Sequence, residues 1–290
     1  MDKKILSVCI IALAVLAAVF AGCTGTQQSA ATATPTPVTN TDNPTAAPTE
    51  TEAQTEAPTT AVVEKTVYII GIDGEYPPYS YVDKDGNAQG FDVDCAKWIA
   101  EDQGFEVKFQ PTAWDGIIPA LLAKKIDMVY AGMSITPERA AKVTFSDVYW
   151  VTNQGVAVKK GSFITIDDVK SGKAKIGTQR GCTAAEWIQE ELIDKGILDA
   201  SKLVLYDNFP LALTDLENGR IDAAMYDTPV VRKSIEGKNL EFLGTIETGE
   251  EYGIAIRNED TELLEKMNAG LKNLKASPAW AELVAKHELE

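Results

Sequence analysis

Three kinds of residue in this sequence are suited to holding a small ionised molecule. They are an arginine that follows a run of small residues, aspartates that end apolar runs, and hydroxyl residues set beside glycines. The arginine is Arg139, in YAGMSITPER (130–139). Pro137 suits the first turn of a helix, where its missing N–H has no partner to lose, and Ser134 or Thr136 can cap that turn. A helix start already presents unpaired N–H groups and the positive end of the dipole, so a guanidinium added there calls for an anion. Arginine forks two parallel hydrogen bonds onto a carboxylate, with Ser134 and the backbone around Gly132 as further donors. By residue type alone, a plain surface charge fits Arg139 as well.

The aspartates complement it. Asp227 ends IDAAMYD (221–227) and Asp73 follows VYIIGI (67–72). Either can receive an ammonium group, although aspartate also caps turns. Thr183 follows GTQRGC at an expected helix start, where its hydroxyl and N–H can bond a carboxylate. Cys182 sits beside it, and the same helix end is expected to lower its thiol pKa. Tyr76 and Trp114 offer aromatic faces to a ligand, or simply to the core. An arginine and an aspartate with small and aromatic residues between them outline a zwitterion, an α-amino acid.

The elements that must position these residues alternate between short apolar strands and amphipathic helices, the pattern of an α/β fold. VYIIG, a helix over 90–104, EVKFQ, a helix DGIIPALLAKK and IDMVYAG form a first series. AKIGT, a helix TAAEWIQEELIDKG, KLVLYD, a helix PLALTDLENG and IDAAMYD form a second. LLAKKIDMVY (121–130) and DLENGRIDAAMY (215–226) share the run from a helix end through a basic residue and Ile-Asp into a strand. QGVAVKK (154–160) and YGIAIRN (252–258) echo each other and read as strands connecting two lobes, with TELLEKMNAGLKNLKA packing on the first lobe. The expected division is 65–155 and 253–290 for lobe 1, and 156–252 for lobe 2. Ligands of open α/β sheets bind outside the C-terminal ends of the strands, so a cleft between the lobes is the expected site.

Composition narrows the partners. The chain carries a formal net charge of −16, which makes nucleic acid a poor partner. Residues 1–22 have the parts of a secretory signal: Lys3 and Lys4, an apolar run from Ile5 to Phe20, then Ala21 and Gly22. Cys23 follows, and FAGC resembles a lipobox, with Phe20 where leucine is usual. A plain signal peptide or an uncleaved anchor is the alternative. Residues 23–64 are rich in Thr, Ala, Pro, Gln and Glu and are expected to form a disordered tether. The spacings show no metal site, and Cys95 and Cys182 show no clear pairing.

Residues from about 66 to 288 resemble the bacterial and archaeal extracellular solute-binding proteins of polar amino-acid ABC transporters. The stretches that carry the resemblance are GIDGEYPPYSY, GFDVDCAKWIAE, WDGIIPALLAKKIDMVYAGMSITPERAAKVTFSD and GRIDAAMYD. It implies a two-lobed periplasmic-binding-protein-like fold, two α/β lobes joined by two strands that close on a ligand. It implies that Arg139 binds the ligand's α-carboxylate with help from Gly132, Ser134 and Thr183, and that Asp227 takes the amino group. Asp73, Tyr76 and Trp114 would line the side chain, with Gln179 as an addition. Ala131 and Cys182 depart from the serine or threonine common there. The implied partners are a polar amino acid (arginine or lysine first, then glutamine), a membrane permease, and a membrane through lipid on Cys23. The resemblance implies no cofactor and a monomer, outside the cytoplasmic membrane.

Two other functions fit the same architecture. Periplasmic dehydratases acting on cyclic dicarboxylates would need a second cation, for which Arg180 is the candidate, and an acid–base residue. A ligand sensor would need a signalling partner.

Overall fold

The computed structural model describes residues 65–289 of the chain. The leader, Cys23 and the polar stretch before Lys65 lie outside the described residues. Along the chain the strands are β1 (Val67–Ile72), β2 (Glu75–Tyr76), β3 (Ser80–Val82), β4 (Ala88–Gln89), β5 (Glu106–Pro111), β6 (Met128–Val129) and β7 (Thr144–Phe145). There follow β8 (Trp150–Lys159), β9 (Ile176–Gln179), β10 (Leu203–Tyr206), β11 (Ala223–Asp227), β12 (Leu240–Tyr252) and β13 (Ala255–Ile256). Two five-stranded sheets form, ordered β5-β1-β6-β13-β7 and β10-β9-β11-β8-β12, with β2-β3-β4 as a small third sheet. Each large sheet is the centre of one α/β lobe.

The Ile-Asp repeat has a physical cause. In the first sheet Gly71 of β1 pairs with Val129, and in the second Gly177 of β9 pairs with Ala224. A Cβ on Gly71 would collide with Ile126, and one on Gly177 with Ile221, so each glycine makes room for the isoleucine that enters the matching strand. The aspartates then do the same work. Asp127 Oδ2 accepts the Ile69 N–H at 2.8 Å, and Asp222 Oδ2 accepts the Lys175 N–H at 2.8 Å. In each lobe, then, an aspartate at the start of the third strand of the series accepts a backbone N–H in or next to the first. Counting onward from these pairs, Asp73 and Gln179 occupy matching positions, and so do Gly132 and Asp227.

The helices follow their apolar spacing. Phe91–Gln103 buries Val93, Ala96 and Ile99 and stops at Gly104, whose left-handed φ of 74° ends it. Thr261–Ala276 buries Leu263, Met267, Leu271 and Leu274 on one stripe and packs on that first helix through Gly270 and Ile99.

Two expectations change. The helix expected over TAAEWIQEELIDKG is α-helical only over Thr183–Trp187 and widens to π-helical turns over Ile188–Ile193, which keep Ile188 and Leu192 buried. The echoing segments QGVAVKK and YGIAIRN are not themselves the connections. Val156 and Ala157 pair antiparallel with Met225 and Ala224 inside the second sheet, while Ala255 and Ile256 pair antiparallel with Val129 and Met128 inside the first. They are equivalent strands of the two lobes, which is why they look alike. The connections are made next to them, where Trp150–Thr152 of β8 pairs with Glu250–Tyr252 of β12.

Candidate functional site

Strand ends and helix starts of both lobes meet between the sheets. Tyr76, Trp114, Gly132, Ser134 and Arg139 of the first lobe and Cys182, Thr183, Tyr226 and Asp227 of the second line a cavity of about 10 Å³. That space holds no more than a water, so a larger ligand enters only if the lobes part or side chains move. A groove of about 740 Å³ lies outside it and shares Trp114 and Arg139 with it.

Arg139 is buried on the helical turn Pro137–Ala140, whose cap is Thr136 and not Ser134. Its Nη1 donates to the Ser134 carbonyl at 2.9 Å. Its Nη2 donates to the Gly181 carbonyl of the other lobe at 3.1 Å. Glu186 Oε1 lies 3.7 Å from Nη2, and the guanidinium stands 5.5 Å from the Trp114 ring centre. The Trp114 indole N–H also donates to the Gly181 carbonyl, at 2.9 Å. The cation is thus held by neutral carbonyls and one distant, half-exposed carboxylate.

Asp227 faces it from the end of β11. Its Oδ2 accepts from the Tyr76 hydroxyl at 2.6 Å and its Oδ1 from Gln154 Nε2 at 2.8 Å. Tyr76 shares its hydroxyl with Tyr252 at 2.7 Å. Burial, and then the negative charge of Glu250, push the Asp227 carboxyl up to about 7, against the lowering effect of these hydrogen bonds. A cation beside it would relieve both effects.

Asp73 and Gln179 lie next to this cavity and do not line it. Gln179 Nε2 donates to Asp73 Oδ2 across the lobes at 3.0 Å, and Gln179 Oε1 accepts from the Tyr226 hydroxyl at 2.9 Å. Burial raises the Asp73 carboxyl pKa, while the bonds from Gln179 and the Glu75 N–H oppose that rise. Tyr76 offers fewer free faces than its type implied, because Tyr79 stacks on it at 5.3 Å and Tyr226 meets it edge-on at 5.5 Å.

Gly132 shapes the opposite wall. It sits at φ 57°, and any Cβ would strike the Tyr76 ring, so this position excludes a side chain. Its N–H is already committed to Asp92 Oδ2 at 2.7 Å and the Tyr149 hydroxyl at 3.1 Å, so it is no free donor for an anion. Burial pushes the Asp92 carboxyl up to about 8.

Thr183 and Ser134 aim their hydroxyls at one acceptor, Glu250, a residue the sequence reading passed over. The lowered thiol pKa expected of Cys182 is overturned. Burial pushes it up to about 12, and the protonated thiol donates to the Gln179 carbonyl. Arg180 does not line the cavity and is half exposed, with Asp207 at 3.6 Å. His287 bonds Asp94 at 2.8 Å, on the helix Phe91–Gln103. Among the described residues no His, Cys, Asp and Glu cluster is placed to hold a metal, and no helix is long and apolar enough to cross a membrane.

Gln154, Tyr226, Tyr252 and Glu250 complete the site and were not singled out from the sequence. Tyr226 was the most accessible, one residue before Asp227 at the same strand end. Gln154 and Glu250 sit on the connecting strands, and nothing in TNQG or TGEEYG marks a polar residue as inward-facing.

The family profile of the bacterial extracellular solute-binding proteins, family 3, matches residues 68–290. The chain belongs to this family. A relative in Escherichia coli (strain K12), ABC transporter arginine-binding protein 1, is 34% identical over 219 residues, covering 73% of this chain and 87% of its own. An ancestral arginine-binding protein solved bound to arginine superposes with a TM-score of 0.70 at 36% identity, covering 77% of this chain and 98% of its own. An ancestral arginine-binding protein solved bound to glutamine gives a TM-score of 0.69 at 36% identity, with the same coverage. This solute-binding protein therefore shares the two-lobe fold of those structures.

Proposed function

We propose that this family member is the substrate-binding lipoprotein of an ABC transporter. It captures a polar α-amino acid by closure of its two lobes and delivers it to a membrane permease. The observation that carries the reading is the placement of Arg139 and Asp227 on the lining of one cavity, each from a different lobe. Arg139 would take the carboxylate and Asp227 the ammonium. Such a pair recognises the part common to all amino acids only when the lobes are together.

For the side chain, Asp73 is the specifying group. Its Gln179 partner places an amide N–H donor on the carboxylate where a ligand donor would have to sit. Arginine or lysine fits that acceptor best and glutamine next, which agrees with the arginine named for the relatives. The dehydratase alternative lacks its second cation in the cavity, because Arg180 does not line it.

The division proposed with it is 1–22 leader, 23–64 tether, 65–155 with 253–290 as one lobe and 156–252 as the other. The monomer and the lipid on Cys23 belong to the same proposal. A Cys23→Ser variant is expected to leave the membrane fraction for the medium on cell fractionation. Unaltered membrane retention would defeat the anchor.

A thermal-shift screen of the purified protein against the twenty amino acids and several dicarboxylates tests the function. A ligand that binds only the folded state adds about 2.7 kcal/mol of stability at a hundredfold excess over its Kd. Arginine, lysine or glutamine is expected to give the largest rise in Tm. A shift with a dicarboxylate alone would replace this function with the enzyme reading.

A further inference from the structure

Glu250 has more partners in the site than any single role assigned so far explains. Its Oε2 accepts from Ser134 Oγ of the first lobe at 2.7 Å and from Thr183 Oγ1 of the second at 2.6 Å. Its Oε1 accepts from Gln154 Nε2 at 2.8 Å and Thr248 Oγ1 at 3.0 Å. One carboxylate thus bonds hydroxyls from both lobes while standing on the strand that joins them.

The backbone is built to deliver it. The register of β12 against β8 runs from Ile246 opposite Gln154 to Glu250 opposite Thr152, so residues 247–249 bulge opposite Asn153. The Asn153 side-chain carbonyl accepts the N–H groups of Thr248 at 2.9 Å and Gly249 at 2.8 Å, and Gly249 takes a left-handed φ of 62°. A bulge re-aims the side chain that follows it. Here it turns Glu250, within an otherwise solvent-facing acidic stretch, into the cleft.

We propose that Glu250 is an affinity-setting residue that competes with the ligand's own α-carboxylate for Ser134 and Thr183. This rests on the amino-acid reading of the site, and on those two hydroxyls belonging to the carboxylate seat. A hydroxyl has one hydrogen to donate, so neither can serve two carboxylates at once. Two carboxylates at one seat also repel. The ligand gains the hydroxyls only as Glu250 retreats, and Gln154 and Thr248 remain to hold it when it does. Part of the ligand's binding energy is thereby consumed in displacement. Affinity falls and release quickens, which suits a receptor that must hand its cargo on. The opposite role is a second acceptor for the ligand's ammonium, since Gln154 Nε2 lies 2.8 Å from both Asp227 Oδ1 and Glu250 Oε1.

Titration calorimetry on the whole protein and its Glu250→Gln variant separates these roles, with L-arginine, L-glutamine and agmatine as probes. Agmatine is arginine without its α-carboxylate. Removing the competing charge is expected to tighten binding of the better amino acid about tenfold, the difference between a charged and a neutral hydrogen-bonding rival. Agmatine should gain much less. Glu250→Ala is expected to move in the same direction and checks that the amide itself is not the cause. Unchanged or weaker amino-acid binding in both variants overturns the inference while leaving the amino-acid reading intact. A wild-type protein that binds neither of these nor any other of the twenty amino acids overturns that reading, and the inference with it.

Discussion

Arg139→Ala is expected to weaken amino-acid binding by about 100-fold or more while leaving a folded protein, because it removes the buried charge proposed to seat the ligand's carboxylate. The guanidinium has few competing anions. Its close partners are the carbonyls of Ser134 and Gly181, and Glu186 lies farther off at 3.7 Å. A positive group bonded mainly to carbonyls retains most of its attraction for an incoming carboxylate. The Gly181 bond also crosses between the lobes, so truncation weakens closure as well as contact. Arg139→Lys separates the two contributions. Lysine keeps the charge but cannot fork across both carbonyls, and intermediate affinity is expected from it. Calorimetry with the best ligand of the thermal screen measures both variants. Wild-type affinity in the alanine variant would remove Arg139 from the site.

Asp227→Asn is expected to have two large effects of opposite sign. Binding should weaken by about 100-fold, since the ammonium loses its charged acceptor in a buried site. The ligand-free protein should become more stable at pH 8, by at least about 2 kcal/mol. The second effect follows from the direction of the pKa shift. Burial first, and Glu250 second, raise the carboxyl from 3.8 to about 7. Between those values the native state keeps a proton that the unfolded chain gives up, so stability falls as pH rises through that window. Asparagine has no proton to lose and escapes the decline. The same ionisation governs binding. Below about pH 7 wild-type Asp227 is protonated and accepts an ammonium poorly, so affinity should rise with pH, by up to about tenfold per unit, and level off above it. Glu250, Tyr76 and Tyr252 face the same carboxyl, and of these Glu250 supplies the opposing charge. Chemical denaturation at pH 5 and pH 8, with calorimetry across the same range, tests both effects. Equal stability of the two proteins at pH 8 would mean that the buried carboxylate costs nothing. A pH-independent affinity would place the ammonium elsewhere.

These effects share one origin. Asp227 and Glu250 in the site and Asp73 beside it stand against one arginine, and Asp73 and Asp227 are shielded from water. Such an excess of negative charge is unfavourable alone and is relieved by a ligand bearing more positive than negative groups. A cationic amino acid meets that condition, whereas glutamine, with one charge of each sign, offers the site only amide hydrogen bonds.

Much of this was legible in the sequence because it is local. The Ile-Asp repeats announced two related lobes, since each aspartate serves a backbone N–H within its own lobe and each isoleucine fills the gap at a glycine there. Arg139, Thr183 and Asp227 stand beside strand ends or helix starts, and those boundaries are written in short-range signals such as Pro137. The structure alone decided what lies between the lobes. Gln154 and Glu250 are 96 residues apart and look like surface polar residues on their own strands. Their meeting in the cleft is created only when β8 and β12 cross together and a bulge turns one of them inward. The same holds for Gly132, whose N–H goes to Asp92 from a distant helix, and for Cys182, whose thiol is governed by the depth of the cleft and not by the nearby helix end. Periodicity reports which face of an element is covered by its own lobe. It carries no information about a surface that a second lobe covers later, and that surface is where this protein's charges meet.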